Sequence, residues 1–392
     1  MTTRFVHTAD WQLGKPFAGI ADLAKRSRVQ QERLEMIPRI GRVAREHQAA
    51  FILVAGDLFD SASVTRSTVS AACHAIGALD LPVLAIPGNH DHAGPGSLWE
   101  QEFFRRECSR LAPNFRLLTD PTPVETDSAV ILPCPLRRRA ESADPTAWIR
   151  SPGLLEGLPK DRPRIVLAHG SVQGFTAMDD EDEPGAGTPN LLDLSRLPDD
   201  GLDYIALGDW HGTRSVTPKA WYAGTPEPDR FPKGDTNDPG HVLAVVALRG
   251  AAPAVASHST ARLAWRRMVQ ELTDDAALER LRVQLDVASG GLTPETLLRL
   301  ELSGSLGLEA TTRLEQWIES LDALLLRLKL VRRTVISPTA SECDDLAHRS
   351  GDPLIARVAG RLLTLGAEAG TGDDAVIARV ALRELHAACH RP

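Results

Sequence analysis

Five short apolar runs recur within the first 207 residues, and each is followed within two residues by a glycine or a polar residue. The runs are Phe5-Val6, Phe51-Ile52-Leu53-Val54, Val83-Leu84-Ala85-Ile86, Ile165-Val166-Leu167 and Tyr204-Ile205-Ala206-Leu207. Short runs of valine, isoleucine and leucine predict buried β-strands. Apolar residues at helical spacing predict helices over residues 22–48 and 65–79, and Pro38 is expected to kink or divide the first. Alternating strands and helices are typical of a layered α/β domain.

A polar motif follows each predicted strand. The motifs are Asp10-Trp11-Gln12, Gly56-Asp57-Leu58-Phe59-Asp60, Gly88-Asn89-His90-Asp91, Ala168-His169-Gly170 and Gly208-Asp209-Trp210-His211-Gly212. Ligands of α/β proteins bind beyond the carboxyl ends of the strands, so these side chains are expected to meet at one rim. Carboxylates, amides and imidazoles gathered in this way predict a metal site.

Three domains are predicted: residues 1–255, residues 260–338 as a small α/β domain, and residues 341–392 as a helical tail. The predicted elements of the last two are helices at 274–285 and 309–321, strands at 297–302 and 324–331, and amphipathic helices at 353–368 and 373–390. The acidic run at 179–183 is interpreted as a solvated loop, with cation binding as the weaker alternative.

Composition narrows the class of protein. The chain has 392 residues, of which 43% are hydrophobic and 24% charged, as in soluble globular proteins. No apolar run approaches the ~20 residues that span a bilayer, and no signal-peptide pattern opens the chain. The five cysteines lack a CxxC spacing and are expected to be reduced thiols. We therefore expect a cytoplasmic protein with no membrane association.

The ordered motifs resemble the signature of calcineurin-like metallophosphoesterases. The opening His7-Thr8-Ala9-Asp10-Trp11-Gln12-Leu13-Gly14 and the helical tail resemble more narrowly the exonuclease subunits of bacterial SbcCD complexes. The resemblance implies an α/β fold: a layered β-sandwich metallophosphoesterase core flanked by helices, with a small α/β capping domain and a C-terminal helical tail. It also implies two divalent metal ions, Mn²⁺ first and Mg²⁺ as the alternative, which activate water and clamp the phosphate.

The resemblance further implies a role for each motif residue. Asp57 would bridge the two ions, and His90 would stabilise the transition state and assist the leaving oxygen. Asp10, Gln12 and His211 would complete a first metal site, and Asn89, His169 and Asp209 a second. Asp60 and Asp91 are interpreted as residues that fix loops, and His7 as a structural hydrogen-bonding residue.

Two positions depart from the family pattern, which has histidine where this chain has Gln12 and usually histidine where it has Asp209. Glutamine ligates through a neutral amide oxygen and is a weaker donor than imidazole. Asp209 adds a hard anionic oxygen. The first site is therefore expected to bind its ion more loosely than the second, and the second to favour Mn²⁺ or Mg²⁺.

The resulting functional prediction is a metal-dependent DNA exo/endonuclease subunit. It would form a homodimer and bind an SbcC-like coiled-coil ATPase through the helices at 353–390. The net charge of −8 agrees with a partner that supplies DNA affinity, since proteins that hold DNA alone usually carry a basic excess. Two alternatives remain open: a weakly active or inactive subunit that regulates the ATPase, and a phosphodiesterase for a small molecule.

Overall fold

The computed structural model describes residues 1–173, 190–232, 238–287, 291–336, 338–367 and 373–390. The acidic run at 179–183 lies outside these ranges. The chain forms two compact units, Met1–Trp265 and Arg266–Pro392. Both of the predicted C-terminal domains, 260–338 and 341–392, fall largely within the second unit, and their boundaries stay a prediction.

The described part of the first unit contains two six-stranded sheets. In spatial order the first sheet consists of β14 (Ala254–Ser259), β13 (His241–Leu248), β1 (Thr2–Thr8), β2 (Phe51–Ala55), β3 (Val83–Ile86) and β4 (Phe115–Leu117). The second consists of β11 (Arg214–Ser215), β12 (Ala220–Tyr222), β10 (Tyr204–Gly208), β7 (Arg164–His169), β6 (Val130–Cys134) and β5 (Val124–Glu125). A short parallel pair joins β8 (Ser171–Val172) and β9 (Leu191–Leu192).

The two sheets pack face to face over one apolar core. Phe5, Leu53, Ile165 and Tyr204 contribute to it from β1, β2, β7 and β10, and all four are almost completely buried. Continuous apolar strands are expected where both faces of a sheet are covered. The prediction of a layered β-sandwich core flanked by helices is confirmed.

Three helices cover the outer face of the first sheet: α1 (Leu23–Glu46), α2 (Arg66–Gly77) and α3 (Glu102–Leu111). The side chains of Asp22 and Thr65 cap the first two, each by accepting a backbone N–H three residues on. Pro38 was expected to kink or divide the first helix; it does not divide it, because α1 is continuous across the proline, and the kink stays a prediction. Met36, Ile37 and Ile40 are fully buried on either side of the proline, and this packing holds the turn together.

The strand directions bring the polar motifs to one rim. In the first sheet β1, β2 and β3 run parallel, with His7 opposite Leu53 and Leu53 opposite Leu84. In the second sheet β7 and β10 run parallel, with His169 opposite Gly208. The five predicted strands thus belong to two sheets, and their carboxyl ends meet across the sandwich.

The second unit combines a three-stranded sheet with helices. The sheet order is β15 (Ala264–Leu272), β16 (Thr296–Leu306) and β17 (Arg327–Ile336), and the last two are parallel. The helices are α4 (Asp275–Val287), α5 (Leu308–Leu324), α6 (Ala340–Ala347), α7 (Pro353–Ala367) and α8 (Asp373–His390). β15 and α6 were missed by the sequence analysis, whereas the other elements agree with it to within a few residues. Among the described residues, no helix is long and apolar enough to cross a membrane.

Candidate metal centre

Four predicted metal ligands occupy a strained backbone conformation where their strands end. The φ angles of Asp10, Gln12, Asp57 and Asp209 are +53°, +48°, +54° and +98°. Non-glycine residues rarely adopt positive φ, and such strain is concentrated at functional sites that the surrounding structure holds in place. These turns direct side chains from both sheets toward the same rim.

Two glycines allow the motif loops to approach one another. A Cβ on Gly56 would lie 2.3 Å from His169 Nδ1, and one on Gly88 would lie 2.1 Å from Asp57 Oδ1. Both distances are far below a van der Waals contact. Only glycine therefore permits His169 and Asp57 to reach their positions.

Asp57 lies at the centre of the rim. Its Oδ1 accepts a hydrogen bond from the backbone N–H of His90 at 3.0 Å, and its Oδ2 accepts one from Gln12 Nε2 at 3.0 Å. The same Oδ2 lies 3.6 Å from His169 Nε2. A carboxylate shared by three other motifs is where the resemblance places the bridging ligand.

His169 is fully buried and points its Nε2 into a group of oxygens. Its Nδ1 lies 2.8 Å from the carbonyl oxygen of Ala55 and donates to it, so Nε2 is the nitrogen that a metal ion would bind after displacing its proton. The potential ligand atoms of Asp10, Asp57 and His169 all lie within 4.8 Å of one another. We call these three residues the Asp-Asp-His group.

Asn89 and Asp209 complete the surroundings of His169. His169 Nε2 lies 2.9 Å from Asn89 Oδ1 and 3.7 Å from Asp209 Oδ1. Asp209 is held by Ser171, whose hydroxyl donates to Oδ2 at 2.8 Å, and its backbone N–H donates to Asp10. The structure thus brings Asp10, Asp57, Asn89, His169 and Asp209 into one cluster.

Two amide side chains test whether these residues fit metal ions. Asn89 Oδ1 faces the two Asp57 oxygens at 3.2 and 3.1 Å, and only a reversed amide would turn this contact into hydrogen bonds. Gln12 Oε1 is buried and has no hydrogen-bond partner among the described residues. Oxygens that face one another, or that lack a donor, are satisfied by a cation between them. Carboxylate, amide and imidazole donors suit Mn²⁺ and Mg²⁺, so the residues present fit the implied ions.

The residues of the Asp-Asp-His group have strongly shifted pKa values. Burial raises the pKa of Asp10 to about 8. The charge of His169 opposes this rise, and the negative charge of Asp57 adds to it. Burial would also raise the pKa of Asp57, but His169 and His90 outweigh it and hold that pKa below its ordinary value. Burial alone would lower the pKa of His169, yet the carboxylates raise it to about 9. The cluster thus retains protons that divalent ions would displace.

His90 lies at the edge of the cluster, with its side chain 28% exposed. Its Nδ1 lies 2.7 Å from the carbonyl oxygen of Asp60, and its Nε2 lies 4.0 Å from Asp57 Oδ2. Burial lowers the pKa of His90, but the charge of Asp57 and the Asp60 carbonyl raise it above its ordinary value overall. The geometry leaves a partly exposed imidazole N–H beside the rim, as the predicted role in assisting the leaving oxygen requires.

His211 stands in different surroundings from those of His169. Its Nδ1 lies 3.1 Å from Asp229 Oδ1, and its Nε2 lies 3.5 Å from the guanidinium of Arg230. Burial and the charge of Arg230 lower the pKa of His211 to about 4. Arg230 also pairs with Asp229.

The residues interpreted as structural behave as expected. His7 is fully buried, with Nδ1 3.0 Å from Tyr204 Oη and Nε2 3.2 Å from the Leu207 carbonyl oxygen. Asp91 accepts backbone N–H groups from Phe59 and Gly88, which fixes the two motif loops against each other. Trp11 is buried and donates to Thr8 Oγ1.

Two residues of the site were missed by the sequence analysis. Ser171 lies two residues after His169 and holds Asp209, and Asp229 lies 18 residues after His211 and contacts it. Ser171 could have been suspected from its place directly beyond a strand end. Asp229 carries no such signal, since nothing in the spacing distinguishes it from the other acidic residues of its loop.

A sandwich of two sheets whose strand ends present carboxylates, amides and imidazoles at one rim is the architecture of a metal-dependent hydrolase. Comparison with known families agrees: residues 3–213 match the calcineurin-like phosphoesterase family. The match covers more than half of the chain, so the protein belongs to this family. Membership implies a hydrolase that uses divalent metal ions to cleave phosphoesters.

Solved structures are similar to this chain at low identity. The protein TT1561 of Thermus thermophilus is 13% identical, with 66% of this chain and 100% of that chain covered and a TM-score of 0.39. A second solved structure is 12% identical, with the same coverage and the same TM-score.

Proposed function

We propose that this protein is a metal-dependent phosphodiesterase that cleaves DNA, as the exo/endonuclease subunit of a larger assembly. The observation that carries the proposal is the convergence of Asp10, Asp57 and His169, with Asn89 and Asp209 beside them, next to the partly exposed imidazole of His90. Mn²⁺ is the proposed metal, with Mg²⁺ as the alternative, because the donors are mainly hard oxygens with imidazole.

The residues of this chain would divide the work of hydrolysis. Two divalent ions supply, when bound, the Lewis acidity that activates water and neutralises the phosphoryl oxygens. Asp57 lies where it can serve both halves of the rim, since Gln12 and His169 approach it from opposite motifs. His90, held through Nδ1 by the Asp60 carbonyl, would donate its Nε2 proton to the departing oxygen.

Basic residues in the second unit support a polyanionic substrate. The register of β16 and β17 places Arg299 opposite Lys329 and Ser303 opposite Arg333, all on one face of the sheet. The alternate face carries Leu298, Leu300 and Leu302, which pack into the core with α4 and α5. Glu301 lies on the same face and pairs with Arg299 and with Arg267, so the positive charge of this face is partly neutralised. The remaining excess of positive charge favours contact with phosphates.

The test is cleavage of end-labelled DNA with Mn²⁺, with Mg²⁺ or with EDTA, by wild type and by Asp57→Asn. We expect metal-dependent cleavage by wild type and a loss of about 10²- to 10³-fold in the variant, because a neutral amide would hold the metal ions, whose charge stabilises the transition state, less well. Asp203→Asn is the matched control: Asp203 is 1% exposed and paired with Arg249, but it lies at the opposite end of β10. Metal binding by wild type without cleavage would instead support the regulatory or small-substrate alternatives.

A homodimer bound to an SbcC-like coiled-coil ATPase is the proposed assembly. The helices α7 and α8 expose Leu354 at 71% and Ile377 at 62%, as expected for helices that bind another chain. Deletion of residues 341–392 should abolish copurification with the ATPase while short DNA is still cleaved. Unchanged ATPase binding by the truncated protein would show that the interface lies elsewhere.

A further inference from the structure

His211 carries an unusual share of the first predicted metal site. The position that normally supplies a second histidine is Gln12, a neutral amide. Of the residues assigned to that site, His211 is therefore the only imidazole, and its orientation matters more than it would beside another histidine. An imidazole ligates a metal only through a nitrogen that carries no proton.

The Asp229 carboxylate faces the other ring nitrogen of His211. Asp229 Oδ1 lies 3.1 Å from His211 Nδ1, and Asp229 is 3% exposed. A carboxylate can only accept, so Nδ1 must donate and Nε2 keeps its lone pair, which faces Arg230 Nη2 at 3.5 Å. His169 likewise donates from Nδ1 to the carbonyl oxygen of Ala55, and its Nε2 faces the Asp57 carboxylate.

Two cations hold Asp229 in this role. Lys15 Nζ lies 3.2 Å from Asp229 Oδ2, and Arg230 contacts Oδ1 through Nε at 3.1 Å and Oδ2 through Nη2 at 3.2 Å. Lys15 is itself 3% exposed. Both carboxylate oxygens are thus engaged within the protein, which leaves Asp229 to act through His211 and not as a ligand of its own.

A buried arginine joins the Asp229 loop to the first motif. The Arg33 guanidinium donates to the carbonyl oxygens of Asp10, Trp11 and Glu227. The Glu227 carboxylate in turn accepts the backbone N–H groups of Arg262 and Leu263 and pairs with Arg39. The loop that carries Asp229 is therefore held at a set distance from Asp10 and Gln12.

We infer that Asp229 is a positioning residue for His211: it keeps Nδ1 protonated and leaves Nε2 as the ring nitrogen whose lone pair is available to a metal ion. The buried contact with His211, the paired cations and the anchored loop carry this inference. The inference rests on the proposed metal-dependent function. It adds the Asp229 carboxylate, which acts through His211, to the metal site in which Gln12 is a weak ligand. Such partners typically contribute about 10- to 100-fold to metal affinity.

The experiment uses the full chain and measures two properties of Asp229→Asn. Calorimetric titration with Mn²⁺ should show one of two sites weakened about 10- to 100-fold, because the asparagine amide can donate to Nδ1 and shift the proton to Nε2. Ring ¹⁵N spectra of the metal-free protein, assigned with His211→Asn, should show His211 protonated at Nδ1 in wild type and at Nε2 in Asp229→Asn. Asp229→Glu, which retains the carboxylate, should restore the Nδ1-protonated form.

Asp203→Asn controls for the loss of a buried ion pair and should leave both metal sites and the His211 spectrum unchanged. Asp229→Asn should weaken the site no further in a His211→Asn background, since it acts through that ring. A wild-type His211 protonated at Nε2 would overturn the inference, even if Asp229→Asn failed to fold. Equal Mn²⁺ affinity of Asp229→Asn and wild type would also overturn it. Wild type without any metal binding would refute the proposed function instead, while the metal-free spectra would still decide the role of Asp229.

Discussion

The two imidazoles assigned to the metal pair, His169 and His211, occupy opposite electrostatic surroundings. Burial would lower the pKa of His169, but the carboxylates of Asp57, Asp10 and Asp209 raise it to about 9. Around His211 burial and Arg230 lower the pKa to about 4. The half of the rim around His169 carries negative charge that bound cations would neutralise. In the half around His211, the carboxylate of Asp229 is already paired with Lys15 and Arg230.

This difference shows how one rim can hold two unequal sites. Where three carboxylates converge, most of the binding free energy of a cation comes from charge, and protons compete for the same oxygens. Where a neutral amide and a neutral imidazole, Gln12 and His211, stand beside Asp10 and the bridging Asp57, binding depends more on how well the protein orients the two neutral ligands. The two halves should therefore respond differently to pH and to a change of ligand.

The largest expected effect is on the pH dependence of metal binding. Asp10, with a pKa of about 8, and His169, with a pKa of about 9, must release protons before they ligate, so affinity should rise with pH up to about 8. If each metal ion displaces one such proton, its affinity rises about 10-fold per pH unit, or about 100-fold between pH 6 and pH 8. Calorimetric titration with Mg²⁺ at pH 6, 7 and 8 measures this slope.

His211→Asn should leave that slope intact, because a histidine with a pKa of about 4 has no proton to release in this range. In the metal-free protein the stability of the fold changes with pH in the opposite direction to the metal affinity. Folded Asp10 keeps a proton that the unfolded chain has lost above 3.8, so its contribution to stability falls as the pH rises toward 8. Metal affinity that does not change between pH 6 and pH 8 would contradict the proposed difference between the surroundings of His169 and those of His211.

A smaller effect is expected from Gln12→His. Imidazole is a stronger donor than an amide oxygen, so the weaker of two Mn²⁺ sites should tighten on the order of 10-fold and approach the stronger one. The measurement is a two-site Mn²⁺ titration of wild type and variant, with DNA cleavage as a second readout. Gln12→Asn is the control, since it retains an amide on a shorter side chain. Two sites of equal affinity in wild type would show that Gln12 does not distinguish the halves.

Local sequence carried much of the fold. The five apolar runs and their motifs predicted β1, β2, β3, β7 and β10 and the rim at their ends, because buried strands require continuous apolar sequence. The helix caps at Asp22 and Thr65 are equally local. Pro38 does not divide α1, because the burial of its neighbours outweighs one missing hydrogen bond.

The two elements missed in the second unit lack a clear pattern of their own. β15 carries the charged stretch Arg266-Arg267 and packs through only part of its length. α6 is eight residues long, begins at the capping box of Thr339 and Glu342, and buries Cys343 and Leu346. Short elements of this kind are stabilised by their neighbours, which single-sequence periodicity does not report.

The amino-acid sequence by itself determined which side chains stand at the strand ends, because hydrophobic runs and the polar residues that terminate them are local features. It determined the family for the same reason, since the ordered motifs are carried by those strand ends. Only the tertiary structure decided the electrostatic character of each half. Asp229, Lys15 and Arg230 meet His211 through loops far apart in the chain, and the pKa of a buried group depends on every charge packed around it.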